Sequence, residues 1–201
     1  MTPLADALRA LELAPALETN INQFIALFLR WNRHINLSAA RSEPEVRGHV
    51  IDSLHVVPHL RAEPGSASSP MRILDVGAGG GLPAVLVAIC LPEAHVTALE
   101  PVHKKHAFLR TAARELSLAN LDPRAERVDH HPPPHDYDAA LSRATFDLRE
   151  WLLLGEGLVR PGGLVLGFEA LLRSDLPADT QRHAYQLEGK SRAIVTHRRP
   201  A

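Results

Sequence analysis

Ile73-Leu74-Asp75-Val76-Gly77-Ala78-Gly79-Gly80-Gly81-Leu82-Pro83 decides how this chain folds. An apolar run, a glycine-rich turn and a proline able to open a helix describe a parallel-sheet strand whose backbone comes up against a nucleoside. Glycine removes the Cβ where a ligand must approach the main chain, and it tolerates the positive φ that turns the chain out of the strand. The expectation is an adenosine site at the carboxyl end of a strand over 72–76. Further apolar runs near 94–99, 124–128, 137–142 and 163–168 alternate with helical patterns near 83–91, 103–117 and 147–159. Such alternation predicts an α/β, doubly wound, Rossmann-like sheet. Pro161-Gly162-Gly163 ends the last helix and launches the strand Leu164 to Phe168. Two short runs near 182–187 and 191–197 complete a mostly parallel seven-stranded sheet as an antiparallel hairpin.

Upstream the period changes. Ile21, Phe24, Ile25 and Phe28 recur at helical spacing and mark an amphipathic helix from about residue 17 to Asn32. A weaker pattern through Leu4, Leu8 and Leu11 precedes it. A third helix opens at Ser42, with Pro44 in its first turn and Glu45 placed for a capping box. Its apolar face is Val46, Val50, Leu54 and Val57, and Pro58 ends or kinks it. Residues 61–70 have the composition of a linker. The expected organisation is a helical extension over 1–60, a linker over 61–71 and an α/β domain over 72–201.

Composition narrows the function. The chain has 201 residues, 45% hydrophobic and 22% charged, with a formal net charge of −1. Such a balance suits one globular unit with a real core. No apolar run approaches the roughly eighteen residues that span a bilayer, and no signal peptide is legible, so a cytoplasmic protein with no membrane partner is expected. The single cysteine, Cys90, sits in a helical apolar pattern and reads as core packing. A net charge near zero restricts any nucleic-acid contact to a local patch. His130-His131-Pro132-Pro133-Pro134-His135 invites a metal reading, but no cysteine or second histidine cluster stands at ligand spacing, so no metal is expected.

Spacing decides which adenosine cofactor fits. Starting at Gly77, the sixth position of G-x-G-x-x-G is Leu82, so the dinucleotide fingerprint fails. The remaining D-x-G-x-G-x-G loop, Asp75 to Gly81, resembles the first motif of methyltransferases that use S-adenosylmethionine. Glu100 ends the strand His95 to Leu99, where an acid can accept the ribose hydroxyls of either cofactor class. Methyl transfer from a sulfonium is a displacement that the protein chiefly positions. After the fourth strand, Leu141-Ser142-Arg143-Ala144-Thr145 lacks the D/N/S-P-P-Y/F pattern of exocyclic-amine enzymes, and Pro132–Pro134 precede that strand. Cys90 is misplaced as a nucleophile for pyrimidine carbons. A ring nitrogen such as guanine N7 loses no proton on attack, which suits a site without a general base.

Trp31-Asn32, Asn36-Leu37-Ser38, Arg41, His49, Asp52-Ser53-Leu54, the glycine loop with Leu82-Pro83, and Ser142-Arg143-Ala144 occur in that order. Together they resemble the bacterial ribosomal RNA small subunit methyltransferase G family, also called glucose-inhibited division protein B. The resemblance implies a class I methyltransferase behind a helical extension, forming 7-methylguanosine at position 527 of 16S ribosomal RNA. It implies cofactor contacts from Gly77, Gly79, Leu82, Val128, Asp129 and Arg143, with Glu100 facing the ribose. Arg143 is the expected positioning residue, and Asn36, Arg41 and His49 are the expected RNA contacts. The partner implied is 16S ribosomal RNA or the small ribosomal subunit, not DNA, and the chain is expected to act as a monomer.

Several positions depart from the family pattern. Gly48 stands where an arginine is usual, with Arg47 adjacent; Glu100 replaces Asp, Ala84 replaces Gly, Thr145 replaces Phe, and Glu169 replaces a lysine near the fifth strand's end. Arg41, Arg47, Arg143, Arg192, Arg198 and Arg199 are candidates for a phosphate-binding rim. Trp31 reads as core. Two alternatives stay open: a small-molecule methyltransferase of the same fold, and a nucleotide-binding protein without transfer activity.

Overall fold

A computed structural model describes residues 3–63, 69–131 and 136–200; the centre of the proposed linker and the Pro132–His135 run lie outside them. Helices α1 (Leu4–Ala10), α2 (Leu17–Ile35), α3 (Glu43–Leu54) and α4 (Val57–Arg61) come first. They are followed by β1 (Arg72–Val76), α5 (Ala84–Cys90), β2 (His95–Leu99), α6 (His103–Glu115) and β3 (Leu121–Arg124). The chain closes with β4 (Tyr137–Ser142), α7 (Leu148–Glu156), β5 (Val159–Glu169), β6 (Gln181–Leu187) and β7 (Lys190–Arg198).

Side-chain alternation along the strands builds two cores, one on each face of the sheet. Ile73, Ala139, Leu141, Leu164 and Leu166 face α5, α6 and the N-terminal helices, whereas Leu74, Ala140 and Val165 face α7 through Trp151 and Leu152. The N-terminal helices therefore share the first core rather than carrying one of their own. Its centre is aromatic. Phe108 of α6 meets Phe28 at 5.9 Å and Trp31 at 5.7 Å between ring centroids, both edge to face, which pins α2 to the α/β layer. Trp31 thus packs as expected.

The seven strands pair in the order β3-β2-β1-β4-β5-β7-β6. β1 to β5 are parallel, and β7 and β6 add antiparallel edges. At Ser42 the capping box forms in full, and Pro44 falls in the first turn, where a missing N–H costs no hydrogen bond. At the end of α2, Asn36 turns left-handed at φ 49°. Buried Asn32 then folds the next loop back, donating to Ala40 O at 2.5 Å and accepting from Ser38 N at 3.0 Å.

Three local expectations shift. The third strand lies at 121–124 rather than near 124–128, because this short edge strand tolerates Pro123 and its Arg124 carbonyl closes on Glu100 N. Pro161-Gly162-Gly163 is a bulge inside β5 rather than a turn before it: Tyr137 pairs with Val159 and Ala139 already with Leu164. Pro58 does not terminate α3, which ends at Leu54; it opens α4.

The β6–β7 hairpin reaches the N-terminal helices through rings. His55 stacks on Tyr185 at 3.6 Å, and His59 meets His183 at 4.1 Å. Burial, then the facing His183 and His55, push His59 down to about 4 from the usual 6.5. The folded state therefore prefers neutral His59. Its contribution is complete above pH 6.5 and drains as pH falls toward 4. Thermal melts between pH 8 and 4 should show a loss on the acid side that His59→Leu reduces; an unchanged profile would mean the ring pair is not the acid-sensitive joint.

Candidate active site

The strand order reverses between β1 and β4. The chain leaves β1 toward β2 and β3 with α5 and α6 on one face, then returns to β4 and β5 with α7 on the other, so a crevice opens at the carboxyl ends of β1 and β4. The crevice is real: a cleft of about 740 Å³ lies there. Gly77 to Gly80, Leu82 and Arg143 to Thr145 form its floor, His49 and Asp52 one wall, and Tyr185, Lys190 and Arg192 the other.

The glycine loop is held from behind by two carboxylates. Gly77 N and Ala78 N both donate to Leu99 O at 3.0 Å, tying the loop to the end of β2. Glu100, buried at 4% exposure, accepts from Gly79 N at 2.9 Å and Val102 N at 2.8 Å. Asp75 Oδ2 accepts from Ala84 N at 3.0 Å, while its buried Oδ1 has no partner among the described residues. Burial pushes the Asp75 carboxyl up to about 7, with Glu100 adding to the rise and the Ala84 N–H opposing it.

The glycines divide by role. A Cβ on Gly77, at φ +74°, would collide with Thr145, whose hydroxyl donates to Gly77 O at 3.3 Å. A Cβ on Gly79, at φ +55°, would meet only Gly77 O at 3.7 Å and would otherwise project into open space. Gly79 is thus the position in the loop where the backbone stands open to the cleft. An open cradle, an unpartnered buried acceptor and a carboxylate at the second strand's end together fit a ligand with ribose hydroxyls and a positive charge. S-adenosylmethionine has both.

Across the cleft, His49 and Asp52 lie three residues apart on one face of α3 and converge on Arg143. Arg143 Nε and Nη2 donate to Asp52 Oδ2 at 3.1 and 2.9 Å, and Nη2 donates to His49 Nδ1 at 3.1 Å. Tyr185 Oη donates to Asp52 Oδ1 at 2.7 Å. Phe168 lies under the guanidinium, 5.7 Å from Arg143 Cζ to the ring centroid. Burial, followed by the Arg143 charge, lowers the pKa of His49. Its Nδ1 accepts from an arginine, so the neutral ring carries its proton on Nε2.

Of the residues read as site candidates, Gly77, Gly79, Leu82, His49 and Arg143 line this cleft. Glu100 stands behind the loop. Val128 and Asp129 fall in a 3-10 turn after β3, away from the lining, where Asp129 pairs with Arg127 at 3.0 Å. Asn36 and Arg41 are exposed and bonded to each other, Arg41 Nη2 donating to Asn36 Oδ1 at 3.3 Å. The rim of arginines is smaller than expected. Arg47 pairs with Glu43 and Asn22 between α2 and α3, Arg198 with Glu63, and Arg199 with Val159 O at the opposite end of the sheet. Only Arg143 and Arg192 of the six reach the cleft.

Two departures from the family pattern are absorbed. Glu169 is buried and accepts from Arg182 Nε at 2.9 Å and Arg173 N at 2.9 Å, so its own charge is neutralised at the cleft's edge. Buried Gly48 leaves room for the hairpin tip, where a Cβ would stand 3.5 Å from Glu188 Oε1. Tyr185, by contrast, carries no signal in the sequence, since 133 residues separate it from the carboxylate it binds.

This sheet, with its glycine loop and second-strand acid, defines the class I S-adenosylmethionine-dependent methyltransferases. Solved structures agree on the fold: TrmN from Thermus thermophilus aligns over 77% of this chain and 50% of its own with a TM-score of 0.59 at 23% identity. The O-methyltransferase TomG from Streptomyces achromogenes aligns over 89% and 90%, with a TM-score of 0.57 at 18% identity. The chain belongs to the rRNA small subunit methyltransferase G family, whose model matches residues 17–199. Proteins named ribosomal RNA small subunit methyltransferase G are 38% identical in Aromatoleum aromaticum, over 82% of this chain and 77% of the relative, and 40% identical in Burkholderia pseudomallei, over 76% and 66%. The chain thus spans about two thirds to three quarters of these relatives' length. Among the described residues, no helix is long and apolar enough to cross a membrane and no cluster is able to hold a metal ion.

Arg143 and Asp52 are 19% and 13% exposed, so Asp52→Ala leaves a nearly buried cation without its counter-charge. The expected loss is about 3–5 kcal/mol of unfolding free energy. Tyr185→Phe removes one hydrogen bond to a charge and should cost about 1.5–3 kcal/mol. Urea unfolding of both variants checks the order; a larger loss for Tyr185→Phe would make the hairpin contact, not the ion pair, the main tie.

Proposed function

We propose that this chain transfers a methyl group from S-adenosylmethionine to N7 of a guanine in 16S ribosomal RNA, acting as a monomer in the cytoplasm. The observation that carries the reading is Arg143, fixed by Asp52 and His49 where the glycine loop and the N-terminal helices face each other. In that position a guanidinium orients a base against the cofactor without removing a proton from it.

Gly77, Gly79, Leu82 and Arg143 would hold the cofactor, with Glu100 toward its ribose; Val128 and Asp129, the remaining contacts the family pattern implies, stand in the turn after β3 outside the cleft lining. When bound, the sulfonium supplies an electrophilic methyl carbon. The carbon would be passed to the guanine N7 lone pair with the carbon–sulfur electrons left on sulfur, so that the chain's own residues need only bind and orient the two reactants. No proton need be transferred, consistent with Asp52 held by Arg143 and Tyr185 and a histidine whose Nδ1 accepts from Arg143. Asn36, Arg41 and His49 meet the RNA on the helical side. The guanine leaves its stack to enter the cleft, which costs least in a loop.

Incubating unmodified small-subunit RNA with labelled S-adenosylmethionine should yield 7-methylguanosine at one loop position. Label on an exocyclic amine, a pyrimidine carbon or a ribose hydroxyl would overturn the mechanism, and turnover of free nucleosides with RNA ignored would favour a small-molecule enzyme. Arg143→Lys keeps the charge but loses the fork geometry, so it should fold and lose about ten- to a hundredfold in transfer. Glu100→Ala should weaken cofactor binding by about tenfold or more in calorimetry.

A further inference from the structure

The cleft does not end at the hairpin. Glu169, Ala170, Lys190 and Arg192 belong both to the cleft and to a second groove of about 610 Å³, which runs between the segment after β5 and the start of β7. Leu171 and Leu172 form the groove's other side and are 82% and 84% exposed, the most exposed large apolar side chains among the described residues. Neither the Lys190 nor the Arg192 side chain makes a hydrogen bond or ion pair among the described residues, whereas the acid in this groove, Glu169, is neutralised by Arg182. The result is a channel continuous with the cleft, with two uncommitted cations beside two adjacent leucines that have nothing to pack on.

We propose that this groove carries the RNA strand next to the target guanine, with Lys190 and Arg192 on its phosphates and Leu171 and Leu172 packed against the base left exposed when the guanine is withdrawn. The proposal rests on the RNA-methylating reading above. Cations beside an apolar wedge match a single strand's two chemistries, the anionic backbone and the flat face of an unstacked base. Charge complementarity selects RNA over a peptide or a lipid surface, because both cations sit at the mouth shared with the cleft, the acid lining the groove, Glu169, is held by Arg182, and Glu188, which lines the cleft but not the groove, stands at the hairpin tip beside Gly48.

Fluorescence anisotropy with a labelled, unmodified 16S ribosomal RNA loop fragment tests this over a range of salt, using the full chain. Lys190→Ala with Arg192→Ala should flatten the slope of log affinity against log salt by about 1.4, the loss of two single-strand phosphate contacts. Leu171→Ser with Leu172→Ser should weaken binding about tenfold at fixed salt and leave the slope unchanged, since stacking is not ionic. The leucine double variant should keep wild-type affinity for S-adenosylmethionine in calorimetry, the leucines are too exposed for their loss to unfold the chain, and the Lys190 and Arg192 variant, whose side chains have no partner to lose, should melt with the wild type. Wild-type affinity and slope in both would overturn the groove. A wild-type chain that binds the fragment but places no methyl on guanine N7 would overturn the proposed function while leaving the groove standing.

Discussion

The contact on which the arrangement of this molecule depends is the pair between Arg143 and Asp52. It joins the end of a central strand to the N-terminal helices, and through Tyr185 it also takes hold of the antiparallel hairpin. Two charges set this far into the protein are costly unless each is satisfied. Asp52 meets the condition with both oxygens engaged, and Arg143 with a carboxylate, a histidine nitrogen and an aromatic face. Three parts of the chain are therefore held in register at one point, and that point is the wall of the cleft.

A second constraint lies on the cofactor side. Asp75 and Glu100 are both buried, and they stand on neighbouring strands behind one loop. Glu100 disperses its charge over two backbone N–H groups, while Asp75 has one donor and a raised pKa. The difference follows from position: Glu100 stands beyond the last residue of its strand, where neighbouring N–H groups are free to turn toward it, whereas Asp75 is inside a strand whose backbone is already paired.

The cleft and the outer groove share a boundary built from the end of β5 and the start of β7. The sheet's antiparallel edge is what distinguishes the site's two sides. On the helical side Arg143, Asp52 and His49 are bonded to one another, so they position rather than attract. On the hairpin side the Lys190 and Arg192 side chains have no ionic partner among the described residues, and with Lys105 of α6 they place unpaired positive charge along the cleft of a protein of net charge −1.

The architecture was legible in the sequence because it rests on local rules. Period-two apolar runs, the capping box at Ser42 and the glycine loop at 77–81 are each written in neighbouring residues, and the order of strands and helices follows from them. Errors fell where pairing overrides propensity: Pro123 sits in an edge strand, and Pro161-Gly162-Gly163 is absorbed as a bulge. Among the residues that line the cleft, Gly79, His49 and Arg143 were candidates from the sequence, since each lies in a motif or at a strand end. The sequence was blind to which arginines stay free and to Tyr185, because both depend on what the folded chain sets opposite them. Arg47 is taken up by Glu43 one turn away, and Arg198 and Arg199 by Glu63 and the Val159 carbonyl far off in sequence, while the Lys190 and Arg192 side chains find no such partner. Charge and residue type are properties of the sequence, whereas pairing is a property of distance, and only the tertiary structure sets distance.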